Sequence, residues 1–174
     1  HYRRFAAGSA LEKVKFKQLQ ALKKRAYQAF ADGKRLDVPD QDAAHLDSIN
    51  LAFVVDAYYA LTLRRRLVET GIPHVQVLHT LAAEFVSAKA QAYVYRRIHD
   101  GLTDDEKAVC QRARNAYTLA PKSATVAEYH DSTALEALVG YLVMAGRTER
   151  LDAVMAQVYE ETKAYCNEKH GGME

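Results

Sequence analysis

The chain has little cysteine and no long apolar run. Its 174 residues include two cysteines, Cys110 and Cys166, which form no C-x-x-C pair and no cluster with histidine. A structural zinc site is therefore not expected, and a reducing compartment is the simplest interpretation. No apolar run reaches the roughly 18 residues that a membrane-spanning helix needs, so no membrane partner is expected.

The sequence also lacks the motifs of two common kinds of active site. The sequence has no glycine-rich phosphate loop, and no serine–histidine–aspartate or cysteine–histidine set at catalytic spacing. Strict alternation of apolar and polar residues, which marks a half-buried strand, is missing as well. Apolar residues recur instead at helical spacing, which predicts an all-α fold with about five core helices. The predicted helices cover residues 11–31, 47–71, 77–99, 103–116, 126–144 and 148–166, with Thr103 opening a capping box and Thr148 capping the last helix.

We predict three parts along the chain. Residues 1–45 form a basic helical arm and linker, residues 46–166 form the core domain, and residues 167–174 form a flexible tail. With 49% hydrophobic residues, the chain can bury one good core. It begins with His1 instead of Met, so we expect a processed or trimmed product whose targeting signal is missing.

Charge is unevenly distributed along the chain. Residues 1–35 contain ten Lys or Arg and two acids, which leaves fourteen basic and twenty acidic residues elsewhere. A basic arm on a mildly acidic body indicates an anionic partner, nucleic acid first. Two other interpretations are equally open, namely a solvated helix and the remnant of a basic targeting segment.

Two acidic residues lie within apolar helical runs. Asp56 lies in residues 51–59, and Glu136 lies in residues 132–140. A buried carboxylate is costly unless it is paired, hydrogen-bonded or bound to a metal. The two acids therefore suggest a shared site between helices, where Mg²⁺ would suit ligands that are all oxygen. Alternatively, each acid satisfies a buried backbone group or pairs with an arginine such as Arg64.

The surroundings of the two acids fit a polar site. Small residues one turn to either side of Asp56 leave room around its carboxylate. Ser132 and Thr133 lie close to Glu136 along the same helix. Their hydroxyls could orient that carboxylate or hold metal-bound water.

Six ordered segments carry a resemblance to a known family. Two are fairly specific in combination, S-A-K-A-Q-A at residues 87–92 and E-A-L-V-G-Y at residues 136–141. In this order and spacing, the chain from residue 47 to about 160 resembles the Mini-III ribonucleases, the small bacterial and plastid branch of the ribonuclease III family. The matching segments are residues 51–59, 78–79, 85–92, 112–116, 121–122 and 129–141.

The resemblance implies an all-helical ribonuclease III domain that works as a homodimer. The implied reaction is hydrolysis of double-stranded RNA with Mg²⁺, for which Mn²⁺ could substitute, and the implied substrate is precursor large-subunit ribosomal RNA. Asp56 and Glu136 match the family's catalytic, metal-binding acids. The implied location is the cytoplasm, with a plastid or another organelle as the alternative.

The RNA-binding residues implied by the resemblance are basic or amide side chains. A-form RNA is recognised by its shape, its 2′-hydroxyls and its phosphates, which favours cationic side chains on a rigid surface. A solvated helix end is the alternative interpretation for most of them. The predicted residues are Lys89, Arg112, Arg114, Asn115 and Lys122.

Three positions depart from the family pattern. Val55 and Ala113 replace family glycines, and Ala60 replaces an acid on the same face as Asp56. Glu128 or Asp131 could compensate for the missing acid. These departures support an alternative function, a catalytically weakened relative that binds structured ribosomal RNA without cutting it. An unrelated helical adaptor is a third interpretation, which the ordered match over two-thirds of the chain disfavours.

Overall fold

The computed structural model describes residues 15–32, 42–116 and 122–171. The chain divides into two compact units, residues 1–41 and residues 42–174. Within the first unit, the described residues form one basic helix, α1 (Phe16–Asp32), which confirms that part of the predicted helix. Residues 11–14 of that prediction lie outside the described residues. No side chain of residues 15–30 is buried, although several are large and apolar.

Six helices follow in the described part of the second unit. Short 3-10 turns precede the first of them, at Ala43–His45, and follow the third, at His99–Gly101. No strand occurs in the described ranges, so the predicted all-α fold is confirmed. None of the described helices is long and apolar enough to span a membrane. The helices are α2 (Ser48–Glu69), α3 (Val75–Phe85), α4 (Ala88–Ile98), α5 (Asp104–Asn115), α6 (Val126–Met144) and α7 (Thr148–Lys169).

The core is built around α6. Thirteen of its nineteen residues are buried, and they include acidic and hydroxyl side chains besides the apolar ones. Helices α2, α4, α5 and α7 all pack against it. Because α6 is covered on nearly every side from Tyr129 onward, the two acids in that stretch, Asp131 and Glu136, lie in the interior.

The predicted single helix over residues 77–99 is wrong, because the structure breaks it between α3 and α4. Ser87 has an extended backbone, with φ −62° and ψ 150°, and its hydroxyl oxygen accepts a bond from the Ala90 amide at 3.2 Å. A serine in this role begins a new helix. Helical spacing of apolar residues continues across the break, so periodicity alone could not reveal it.

The other predicted caps have mixed outcomes. The capping box is confirmed, since Thr103 and Glu106 satisfy each other's backbone amides. The predicted cap at Thr148 is wrong. Arg147 occupies the capping position without a side-chain bond, and Thr148 is the first helical residue. Gly146, the residue before Arg147, has φ +67°.

The last helix is longer than predicted. It continues to Lys169, three residues beyond the predicted end at Cys166. The Nε2 atom of His170 lies 2.9 Å from a carboxylate oxygen of Glu84 on α3, which joins the end of α7 to α3. Residues 172–174 of the predicted tail lie outside the described residues, and the three-part division of the chain stays a prediction.

Candidate active site

The helices that carry the two acids cross in near contact. A Cβ atom at Gly140 on α6 would lie 2.6 Å from the carbonyl oxygen of Leu51 on α2. Only glycine permits two backbones to approach this closely. Glu136 lies one turn before Gly140, and Asp56 lies just over one turn after Leu51, so both acids lie near the crossing.

Tyr59 shows which ends of the two helices run side by side. It is buried two turns after Leu51. Burial raises the pKa of its phenol well above 10, and the negative charge of Glu136 acts in the same direction. Glu136 is therefore near Tyr59, and the part of α2 after Leu51 runs beside the part of α6 before Gly140. Asp56, between Leu51 and Tyr59, lies on this side of the crossing.

The two acids differ in exposure. Glu136 is 4% exposed, and Asp56 is half-buried at the edge of the buried stripe of α2. The hydroxyl groups of Ser132 and Thr133 both donate to the carbonyl oxygen of Tyr129, at 2.8 and 2.9 Å. Both protons are therefore committed to the helix backbone, so these hydroxyls do not orient Glu136 by donating to it, and the alternative that their oxygens hold metal-bound water stays a prediction.

Few side chains are available as ligands for a metal ion. In the described ranges, no group of three or more His, Cys, Asp or Glu residues could hold an ion. A pair of carboxylates nevertheless suits Mg²⁺, which commonly binds one or two carboxylates and completes its coordination shell with water and substrate phosphate. Asp56 and Glu136 are the candidates for such a pair.

Three of the predicted RNA-binding residues have partners within the chain. The Arg112 guanidinium donates to the carbonyl oxygen of Ala44. The side-chain oxygen of Asn115 accepts a bond from the Gln111 amide at 3.3 Å. Arg114, near the end of α5, donates to Asp131 on α6. Arg112 and Arg114 therefore link α5 to other parts of the domain, whereas the bond of Asn115 lies within α5 itself.

The two predicted lysines lie at the surface. Lys89 is exposed in the first turn of α4, and Lys122 is exposed in the turn before α6. Both side chains are accessible to a phosphate. The structure thus separates the predicted set into exposed lysines and residues that are already bonded within the chain.

Asp131 and Glu128 are poor replacements for the acid missing at position 60. Both carboxylate oxygens of Asp131 accept bonds from arginines, one from Arg96 at 2.6 Å and the other from Arg114. Glu128 lies eight residues before Glu136, which is about 12 Å along the helix axis. Sequence reasoning missed Arg96, for which the only signal was a basic residue in the last turn of α4.

The three departures from the family pattern occupy two kinds of environment. Val55 and Ala113 are 1% and 0% exposed within the core, so they replace glycine with packed side chains. Ala60 is half-buried on the face of α2 that carries Asp56. Only Ala60 therefore changes the chemistry next to the acids.

A family model and several relatives of known family match this chain. The model of the ribonuclease III domain matches residues 49–147. The Mini-ribonuclease 3 of Symbiobacterium thermophilum is 46% identical over 111 residues, which cover 63% of this chain and 85% of the relative. That of a Thermoanaerobacter species is 40% identical over 120 residues, which cover 67% and 84%.

A solved structure has a similar fold. The crystal structure of a Fusobacterium nucleatum protein aligns with a TM-score of 0.63 and 30% identity, over 70% of this chain and 98% of that one. The family match includes both acids and the crossing at Gly140, and it excludes α1. The chain thus belongs to the ribonuclease III family of endoribonucleases, and within it to the Mini-ribonuclease 3 branch.

Proposed function

We propose that this endoribonuclease cleaves double-stranded RNA with Mg²⁺ held by Asp56 and Glu136. The observation that carries the proposal is the close crossing of α2 and α6, which supports a shared position for the two acids. Ribonuclease III enzymes act on double-stranded RNA with a divalent metal. Mn²⁺, also an oxygen-preferring ion, could substitute.

The residues at the proposed site would have separate roles in metal binding. Glu136, on a buried helix, would give the site a fixed carboxylate, and half-buried Asp56 would supply the second carboxylate from the solvent side. Tyr59 is neutral near pH 7, as a phenol ordinarily is, and burial raises its pKa further, so it adds no competing negative charge. A bound Mg²⁺ would lower the pKa of a coordinated water and neutralise charge on the attacked phosphate.

Substitution of either acid tests the site. We expect Asp56→Asn and Glu136→Gln each to reduce cleavage of a long RNA duplex in Mg²⁺ by at least about 100-fold, since even loss of an outer-shell partner costs 10–100-fold. The measurement is the initial cleavage rate over a Mg²⁺ titration. Asp152→Asn, at an exposed acid on α7, is the matched control and should cut normally.

The same assay tests the alternative function, a catalytically weakened relative that binds RNA without cutting it. Ala60 is the observation that favours this alternative, since it removes an acid from the face of Asp56. A wild-type protein that binds duplex RNA but never cuts it in Mg²⁺ or Mn²⁺ would establish the alternative. Wild-type cleavage rates in both acid variants would instead show that other residues hold the metal.

We also propose that the enzyme is a homodimer. The observation that supports this is an apolar stripe on the exposed face of α2, formed by Ile49, Phe53, Leu61 and Val68, each more than half exposed. Helix α3, which packs against α2, has no buried residue along its whole length. A two-fold partner that covers this surface would also place two active sites to address both strands of one duplex.

The biological substrate that we propose is precursor large-subunit ribosomal RNA. The support is the family branch, whose curated members are named Mini-ribonuclease 3. We expect cleavage at a defined position in such a precursor, and random cutting equal to that of an unrelated duplex would contradict this. The proposed location is the cytoplasm, with a plastid or another organelle as the alternative.

A further inference from the structure

Asp131 joins three helices through two arginines. It lies in the second turn of α6 and is 3% exposed. One carboxylate oxygen accepts from Nε of Arg96, in the last turn of α4, at 2.6 Å. The other oxygen accepts from Nη1 of Arg114, in the last turn of α5. A single buried carboxylate thus determines where two guanidinium groups lie.

The two arginines remain accessible while they are held. The side chains of Arg96 and Arg114 are 52% and 36% exposed. Each bond with Asp131 uses one N–H group, and a guanidinium carries five. The cluster contains two positive charges and one negative charge, so it keeps an excess of one positive charge at the surface. Paired guanidinium groups are well suited to bind a phosphate through parallel hydrogen bonds.

The cluster lies near the proposed site but not within it. Asp131 precedes Glu136 by five residues, which is about 7.5 Å along the axis and about 140° around α6. The arginines therefore lie on the flank of α6 that faces α4 and α5, whereas Glu136 faces α2. Because the offset along the helix axis is only about 7.5 Å, phosphates that flank the cleavage position are the ones that these exposed guanidinium groups could reach.

We propose that Asp131 is a positioning residue that fixes Arg96 and Arg114 as a clamp for the RNA phosphates flanking the cleavage site. The inference rests on the proposed action on double-stranded RNA. It assigns a role to Arg96, which lies outside the predicted RNA-binding set. It also reassigns Asp131 from a possible metal ligand to a residue that acts through its two arginines.

A salt titration with a matched control tests the contact. Binding of a short RNA duplex is measured from low to high salt in EDTA, which keeps the duplex intact. We expect Arg96→Gln to reduce the slope of log K against log salt by about 0.9, the value for one lost phosphate contact. Arg97→Gln is the control, since Arg97 is the next residue, is 51% exposed and pairs with Glu161. Equal slopes for the two variants would overturn the clamp.

The Asp131→Asn variant then distinguishes a positioning role of Asp131 from a purely electrostatic effect of its charge. This variant removes one negative charge, so electrostatics alone predicts tighter binding of RNA. A positioning role predicts binding that is weaker by about threefold to tenfold, because the guanidinium groups lose their shared anchor. Tighter or unchanged binding would refute the role of Asp131. If this variant does not fold, the comparison of Arg96→Gln with Arg97→Gln decides the matter.

The design also separates the clamp from the proposed chemistry. If wild-type protein binds duplex with the expected slopes but does not cut in Mg²⁺, the clamp stands and the proposed cleavage fails. If it cuts and Arg96→Gln behaves like Arg97→Gln, only the clamp fails. Absence of any duplex binding would reject both.

Discussion

Gly140 determines how closely α2 approaches α6. The nearest atoms to a Cβ at this position belong to Leu51, and they include its backbone carbonyl. Backbone atoms cannot rotate away as a side chain can, so any larger residue must move the whole of α2. Because Asp56 is on α2 and Glu136 is on α6, such a movement would alter the spacing of the two acids.

We expect Gly140→Ala to destabilise the protein by about 1–3 kcal/mol, the usual cost of overpacking. Thermal unfolding should show a midpoint lower by about 2–4 °C for each kcal/mol. Cleavage should fall further than the unfolded fraction explains. Gly101→Ala is the control, since nothing lies within 4 Å of a Cβ there. Equal effects of the two substitutions would exclude a special role for the crossing.

The buried carboxylate of Glu106 makes the free energy of unfolding depend on pH in the acid range. Its carboxylate is fully buried and accepts bonds from Arg150 at 2.7 and 2.9 Å. The hydrogen bonds from Arg150 hold the pKa of this carboxyl below its ordinary value of 4.5. Since the folded state lowers this pKa, the pair stabilises the fold fully above pH 4.5, and that stabilisation is lost as pH falls below it.

Glu106→Gln should therefore lower the free energy of unfolding by about 3 kcal/mol at pH 7, the cost of breaking a buried pair. The difference from wild type should shrink as pH falls below 4.5, because the carboxyl takes up its proton first in the unfolded state. Urea unfolding at pH 7 and pH 3.5 measures both values. Glu160→Gln, at an exposed acid, should change neither. A difference that stays constant with pH would contradict this account.

The sequence predicted Asp56 and Glu136 as candidate site residues. It did not predict the hydrogen bonds made by the residues around them. A carboxylate in an apolar run is conspicuous because burial makes it costly. The pairing of Arg96 with Asp131 spans 35 residues and depends on how three helices pack, which no local pattern encodes. The hydroxyls of Ser132 and Thr133, by contrast, bond locally to the carbonyl oxygen of Tyr129, as hydroxyls within a helix can do, so neither donates to Glu136.

Helices were more predictable than their boundaries. Apolar spacing predicted every stretch that is helical in the described residues, because that spacing follows from the 3.6-residue turn. The break between α3 and α4 has neither proline nor glycine, and it depends on one extended serine. The other boundary that was predicted wrongly is the start of α7. There Gly146, with its positive φ, reverses the chain, so Thr148 is not needed as a cap.

The Ser87 cap should be measurable by itself. Ser87→Ala removes the acceptor for the Ala90 amide, which typically costs about 1 kcal/mol. The thermal midpoint should fall by about 2–4 °C. Ser123→Ala, at an exposed serine in the turn before α6, is the control and should leave the midpoint unchanged. An unchanged midpoint in Ser87→Ala would mean that packing alone holds the break.

The proposed dimer depends on the apolar stripe of α2. We expect wild-type protein to sediment at twice the chain mass at micromolar concentration. Leu61→Glu places a charge in the middle of the stripe and should yield monomers, because an unpaired charge is costly to bury at an interface. Val126→Glu is the control, as it introduces the same charge at an exposed valine on α6. Monomeric wild-type protein would contradict the assembly.

None of the described side chains of residues 15–30 on α1 is fully buried, and this has a thermodynamic consequence. A helix of this length in water is close to the balance point between coil and helix, because nucleation is costly and only packing offsets that cost strongly. Phe16, Tyr27 and Phe30 are all more than 60% exposed, so α1 gains little from apolar burial. On heating, α1 should unwind gradually, while the domain that carries the acids melts in one sharp transition.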